Sequence, residues 1–385
     1  MLWLNFAPIL SAIQQKFAVT EGTASLLILV FPFIYVFLSM HAGSLIDRKG
    51  YRLCVGAASV MMAVFSCLRI FDQSFWVLLV AQVGIAIAQP YVVNGISKLV
   101  MDWFPESEAA IATGLGTMGM FLGMAAGLVL TPLWLNQFGF QITMALFAGI
   151  SVAVAVAFLV FCKTKSEIVE VTPVPMWSEV RALFRSKSLV LLFVLAFIGL
   201  GFFNGLTTWL ELILAPNGID SVQAGAIGGA LIVGGIIGAV VVPAISDRVK
   251  MRKPFLIGSV LAASVILLPF VHTHHYSQAM ILGGVLGFFF LPAYALLLEV
   301  CSVHAGKERA GFATGILMLA GNIGGVVISG SMEAIKQETF DPAIKMLMGL
   351  LLFAVFLAFF VEEKPDDQQV ATPGSSRERL NSVTL

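Results

Sequence analysis

The residues that could do chemistry in this sequence are polar side chains that interrupt long apolar segments. A hydrogen-bonding group is costly in such surroundings unless it has a partner or a role. An indole, amides and a hydroxyl could donate hydrogen bonds to a solute or accept them from it. Taking the midpoint of each segment places one such set near a common level: Trp3, Asn5, Gln89, Asn204, Thr207 and Asn322, with Gln82 two turns outward on the same face as Gln89.

Alternative roles stay open for these polar residues and for three charged ones. The amides could simply bond neighbouring segments together, at about 0.6 kcal/mol each. Glu211 lies near the outer end of the seventh long segment, and Lys98 and Glu299 lie toward the inner ends of the fourth and tenth. These three could pair with other charges or carry a proton. Lys98 and Glu299 could also just reach the membrane interface.

The composition indicates that the elements holding these residues are membrane helices. Of the 385 residues, 59% are hydrophobic and 11% are charged. A soluble domain of this composition could not cover its surface with polar groups, whereas in lipid most side chains face hydrocarbon or another helix. The formal net charge is zero, so nothing suggests a nucleic acid partner.

Eleven apolar segments are long enough to cross a bilayer as helices of about 20 residues. They fall near 24–46, 53–71, 75–99, 109–134, 140–162, 188–215, 223–246, 255–271, 279–302, 310–334 and 343–361. A twelfth apolar stretch, 1–13, is too short to span. It has no basic region and no small-residue cleavage site typical of a signal peptide, so we expect the outer half of a first helix whose start is missing.

Lysine and arginine set the expected orientation. With the loop at 47–52 in the cytoplasm, 18 of the 22 Lys and Arg residues fall on the cytoplasmic side and four on the other: Lys16, Arg69, Lys336 and Lys345. Such an asymmetry predicts topology by the positive-inside rule. We therefore expect a multi-pass protein of the plasma (cytoplasmic) membrane with its C-terminus in the cytoplasm.

The sequence repeats itself at an offset of about 200 residues. Asp47-Arg48 recurs as Asp247-Arg248, and ATG ending at Gly114 recurs as ATG ending at Gly315. An even number of segments separates the copies, so both have the same orientation. This predicts a six-helix bundle over 1–162, a cytoplasmic linker with an interfacial helix over 163–187, a second six-helix bundle over 188–361 and a disordered cytoplasmic tail over 362–385.

The repeated motif carries a resemblance. GSLIDRKGYR (43–52) and its echo PAISDRVKMR (243–252) are similar to a loop of the major facilitator superfamily. The resemblance implies an all-α integral membrane fold of twelve helices in two parallel six-helix repeats. It also implies a charge network that steadies a closed cytoplasmic gate, although simple positive-inside anchoring remains the alternative. The implied residues are Asp47, Arg48, Arg52, Asp247 and Arg248, with Lys98 and Glu299 as further gate residues.

A narrower resemblance rests on WLNFAPI (3–9), AQPYVVNGISKLVMDWFPESEAAIATG (88–114) and LLLEVCSVHAGKERAGFATG (296–315). These stretches resemble the feline leukaemia virus subgroup C receptor-related transporters, which are linked to choline, ethanolamine and haem. In that family an aromatic residue of the first helix and a glutamine of the fourth contact an amine, and Trp3 and Gln89 match them. Asn204 and Asn322 depart from the animal members, which have Tyr and Gln there, so the substrate stays open.

These observations predict a secondary transporter, a uniporter or symporter that moves a small organic solute by alternating access. The expected partners are the solute and the lipid bilayer, with no cofactor, no metal and a monomeric state. The sequence contains no GxxxxGK[ST], HExxH or GxSxG motif, so we do not expect an enzyme. The alternatives are an exporter of another metabolite or drug on the same fold, and a non-transporting receptor or scaffold.

Overall fold

The computed structural model describes residues 1–163, 176–249, 251–306 and 309–362. The predicted tail from residue 363 onward and residues 164–175 of the predicted linker lie outside these ranges. All regular elements within them are helices. They are 3₁₀ turns at Ala7–Ile9 and Ala215–Asn217 and the helices α1 Leu10–Phe17, α2 Glu21–Lys49, α3 Tyr51–Leu68, α4 Phe75–Trp103, α5 Glu106–Phe161, α6 Met176–Phe184, α7 Lys187–Leu214, α8 Ser221–Val249, α9 Lys253–His272, α10 Tyr276–Ala305, α11 Ala310–Ile335 and α12 Asp341–Ala358.

The eleven predicted spans all fall on helices. Within the described ranges ten helices are long and apolar enough to cross a membrane, and one of them, α5, contains two predicted spans. The break inside α5 is at Gly139, whose φ of 78° and ψ of 175° are not helical. A residue with a Cβ is strained at such a positive φ, so glycine allows the chain to reverse direction there without a longer loop.

The helices pack in a pattern that repeats with the sequence. In the first part of the chain α2 packs on α4 and α3 on α4; in the second part α8 packs on α10 and α9 on α10. Contacts of α5 with α8 and of α2 with α11 join the parts, and the chain start also contacts α7 and α8. This pairing is the one expected of two parallel repeats related by a two-fold axis. The residue boundaries of the two bundles stay a prediction.

Glycines allow the closest helix approaches. A Cβ added at Gly287 of α10 would clash with the Leu231 carbonyl oxygen of α8, and one at Gly324 of α11 would clash with the Phe197 carbonyl of α7. Helices in lipid associate through such close packing because burying apolar side chains against each other gains little there. The chain start also packs closely on a glycine, because the Met1 backbone lies against Gly127 of α5.

Candidate functional site

The first segment brings Trp3 into the interior. The Met1 backbone packs on α5, and the Trp3 ring stacks on Phe31 of α2, with 6.2 Å between centroids and 23° between planes. The Trp3 Nε1 donor is buried and has no hydrogen-bond partner among the described residues. Trp3 therefore offers both an aromatic surface and a free indole N–H.

The two glutamines of α4 have different surroundings. Gln82 is fully buried, and its Nε2 donates to the Leu27 carbonyl at 2.8 Å and lies 3.5 Å from the Leu2 carbonyl. It thus braces α4 against α2 and the chain start. Gln89, two turns further along, is half-buried, and its Oε1 accepts no bond from any described residue. Gln82 Oε1 also has no described partner, so the two glutamines differ in their burial and in the bonds that Gln82 donates.

The polar residues of α7 and α11 lie where these helices pack closely. Asn204 is 1% exposed, and its Nδ2 donates to the Leu200 carbonyl at 2.9 Å while its Oδ1 has no described partner. A Cβ at Gly325 of α11 would press on the Asn204 amide. Asn322 Nδ2 donates to the Met318 carbonyl at 2.8 Å, and the Thr207 hydroxyl donates to the Phe203 carbonyl at 2.7 Å. Both bonds lie within one helix.

Asn5 completes a set of unsatisfied polar atoms. Its side chain is fully buried, and neither its Nδ2 nor its Oδ1 has a described partner. With the atoms above, this gives free donors on Trp3 and Asn5 and free acceptors on Asn5, Gln82, Gln89 and Asn204. A buried polar group without a partner costs about 1–3 kcal/mol. A bound group that supplies the missing partners is therefore favoured.

Glu211 connects the first segment to α7. Its carboxylate accepts hydrogen bonds from the Ser11 backbone N–H, at 3.1 Å, and from the Ser11 hydroxyl. The side chain is 4% exposed. On the same predicted outer face, Lys336 after α11 forms an ion pair with Glu21 at the start of α2. Polar contacts thus join the two halves of the chain at this face.

The predicted gate residues divide into paired and exposed ones. Arg252 Nη2 lies 2.6 Å from Glu299 Oε1, and Lys98 Nζ lies 3.5 Å from Asp102 Oδ1 one turn along α4. The remaining described members are exposed: Asp47, Arg48, Arg52 and Arg248. The Asp247 side chain lies outside what the structure describes. Glu299 therefore pairs with the cation just before α9, while Lys98 pairs within its own helix.

Arg69 is a residue that the sequence analysis did not single out. It was counted as a cation of the outer side, yet only 1% of its surface is exposed. Its guanidinium carbon lies 4.5 Å from the Phe6 ring centroid. A desolvated cation–π contact is worth about 2 kcal/mol, whereas burying an ion costs several. The sequence feature that could have indicated this burial is the position of Arg69 between Leu68 and Ile70, at the end of an apolar segment.

Comparison with known proteins places these features in a family. The model of the Major Facilitator Superfamily matches residues 1–329. An uncharacterized protein of Archaeoglobus fulgidus is 33% identical over 181 residues, which cover 46% of this chain and 82% of that protein. The choline/ethanolamine transporter FLVCR1 of Felis catus is 25% identical, over 91% of this chain and 68% of its own length. Solute carrier family 49 member A3 of Xenopus tropicalis is also 25% identical, over 85% and 73%.

Proposed function

Because the chain belongs to the major facilitator superfamily, we propose that this multi-pass membrane protein is a secondary transporter of a small organic amine of the choline or ethanolamine class. Relatives at about 25% identity carry that substrate class in their names. The observation that carries the proposal is the set of buried, unsatisfied polar atoms on Trp3, Asn5, Gln89 and Asn204. These residues come from the chain start, α4 and α7, and so from both halves of the repeat.

The chemistry of this set suits an amine. The Trp3 ring could hold a cationic head by cation–π attraction. The free carbonyl oxygens of Gln89 and Asn204 could accept from an ammonium N–H or from a hydroxyl group. The free donors on Trp3 and Asn5 could bond a solute oxygen. Gln82 would act differently, by holding the first segment against α2 and α4.

Alternating access would use contacts at the two faces in turn. The Ser11–Glu211 bonds and the Glu21–Lys336 pair join the halves at the predicted outer face, so they would have to break for that face to open. Asp47, Arg48 and Arg52 are exposed and could form the cytoplasmic gate when the inner ends close. Glu299, paired with Arg252, and Lys98, paired with Asp102, would exchange partners or move with that gate.

The test is uptake of radiolabelled choline and ethanolamine into proteoliposomes. We compare the unmodified chain with Trp3→Ala and Gln89→Ala, and we use Gln15→Ala as a matched control because Gln15 is exposed. Saturable uptake that falls at least about tenfold in the two site variants, and not in the control, supports an amine site there. Absence of saturable uptake, or equal loss in all three variants, contradicts the amine assignment.

A further inference from the structure

The guanidinium of Arg69 has more donors than partners. Its Nη2 lies 3.4 Å from the Met144 sulfur, and its face lies over the Phe6 ring. Its Nε and Nη1 are buried and donate to no described atom. Phe6 belongs to the first segment, Arg69 follows α3, and Met144 lies beyond the Gly139 break in α5. The group thus lies where three parts of the first half meet.

No carboxylate within the described part of the chain compensates this charge. Asp72, three residues further on, is held by Lys16 at 2.6 Å and accepts a bond from Gln141 Nε2 at 2.8 Å. The hydrogen bond from Lys16 holds the pKa of Asp72 below its usual range, and Gln141 contributes in the same direction. Asp72 therefore pairs with Lys16 and Gln141 and not with Arg69. The two groups that contact the guanidinium, the Phe6 ring and the Met144 thioether, are neutral.

We propose that Arg69 forms a binding site for a small monovalent inorganic anion such as chloride, between the first segment, α3 and the second part of α5. A buried cation requires a counter-charge, and the N–H groups of its free Nε and Nη1 can donate hydrogen bonds to an anion. The nearly complete burial favours a small ion. A doubly charged phosphate would leave a net negative charge among the apolar groups of Phe6 and Met144, so a singly charged anion fits better.

This site is separate from the solute site but adjoins it along the chain. Phe6 is three residues after Trp3, in the short segment that precedes α1. An anion on Arg69 would fix the guanidinium under the Phe6 ring and so hold this segment in place. The expected effect is on the stability of the fold, which can be measured whether or not the protein carries an amine.

The experiment is a thermal-unfolding titration of the purified full chain in detergent, with sodium chloride replacing sodium gluconate at constant ionic strength. Arg69→Gln removes the charge while keeping a polar side chain. Lys345→Gln is the matched control, because Lys345 is an exposed cation near the same face. We expect chloride to raise the apparent melting temperature by a few degrees with saturation in the unmodified chain and in the control, and not in Arg69→Gln.

Equal melting temperatures in chloride and gluconate overturn the proposal, and so does a chloride effect that persists in Arg69→Gln. Should that variant not yield folded protein, Arg69→Lys decides the matter. It keeps the charge but replaces the planar array of donors with one ammonium group. A half-saturating chloride concentration that rises severalfold supports the site, and an unchanged one overturns it.

Discussion

Gln82 and Gln89 show how two identical side chains on one face of α4 can differ in role. Gln82 is fully buried and its Nε2 contacts carbonyls of α2 and the chain start, whereas Gln89 is half-buried. The Oε1 of each has no described partner. The sequence placed both in a solute pathway from their spacing alone. The contacts favour a bracing role for Gln82 and a solute role for Gln89, and both roles remain to be tested.

We predict that Gln82→Ala lowers stability and that Gln89→Ala lowers uptake. Removing the Gln82 amide removes its hydrogen bond to the Leu27 carbonyl, which costs about 0.5–1.5 kcal/mol. Removing Gln89 breaks no described side-chain bond through Oε1, so its melting temperature should change little. Thermal unfolding and initial uptake rates on both variants check this. Similar effects of the two changes on both readouts would contradict the division of roles.

We predict a graded effect at Trp3. Trp3→Phe keeps an aromatic face and should weaken apparent affinity for choline only a fewfold. Trp3→Ala removes the face and should weaken it by up to about 30-fold, the equivalent of a cation–π contact of about 2 kcal/mol. The measurement is the KM of choline uptake in proteoliposomes. Equal KM values for the two variants would show that the ring does not hold the cation.

At the scale of elements, the glycines of α8, α10 and α11 decide how closely helices approach. The sequence contains 36 glycines, but it does not show which of them meet the backbone of another helix. Spacing along one helix cannot reveal the partner, because the partner lies on a helix distant in sequence. Gly287 faces the Leu231 carbonyl, while Gly330 of α11 has no atom within 4 Å of an added Cβ.

We predict that Gly287→Ala destabilises the protein and that Gly330→Ala does not. At Gly287 the added methyl group meets backbone of α8, which cannot rotate away, so the helices must separate. At Gly330 the methyl group meets open space, and alanine has the better helix propensity by about 1 kcal/mol. Thermal unfolding in detergent is the measurement. A loss at Gly330 as large as that at Gly287 would rule out backbone contact as the cause.

The Ser11–Glu211 contact joins two helices, α1 and α7, through polar groups. We predict that Glu211→Gln shifts the protein toward a state open at the predicted outer face, because a neutral amide accepts more weakly than a carboxylate. Spin labels at Gln15 and Glu338, which are both exposed, report the distance across that face. The native cysteines are first replaced by serine. The same distance distribution in Glu211→Gln and in the unmodified background would show that the Ser11–Glu211 contact does not hold the outer face closed.

At the scale of the whole molecule, the family assignment and the helical fold agree with the sequence analysis. The resemblance to major facilitator proteins rested on one loop motif and its echo, and the family match covers residues 1–329. The repeat in the sequence corresponds to a repeated helix pairing in the structure, in which α2 packs on α4 and α8 packs on α10. The orientation in the membrane remains a prediction from lysine and arginine counts.

We predict that a cysteine at His274 reacts with a membrane-impermeant maleimide in intact cells, and that one at Arg185 reacts only after permeabilisation. Both residues are exposed, His274 between α9 and α10 and Arg185 between α6 and α7. The positive-inside rule assigns them to opposite sides of the membrane. Labelling followed by gel shift is the readout. The reverse pattern would invert the topology and with it the assignment of the two gates.

The sequence by itself determined the spans, their repeat and the family. These follow from properties that are local or periodic, because the length of an apolar run is set by bilayer thickness and a duplicated motif is visible in the chain. Only the tertiary structure decided which polar groups have partners. Hydrogen bonding and burial depend on residues far apart in the sequence: the Leu27 carbonyl accepts from Gln82 Nε2, Ser11 donates to Glu211, and Phe6 covers Arg69, which the sequence had assigned to the outer side.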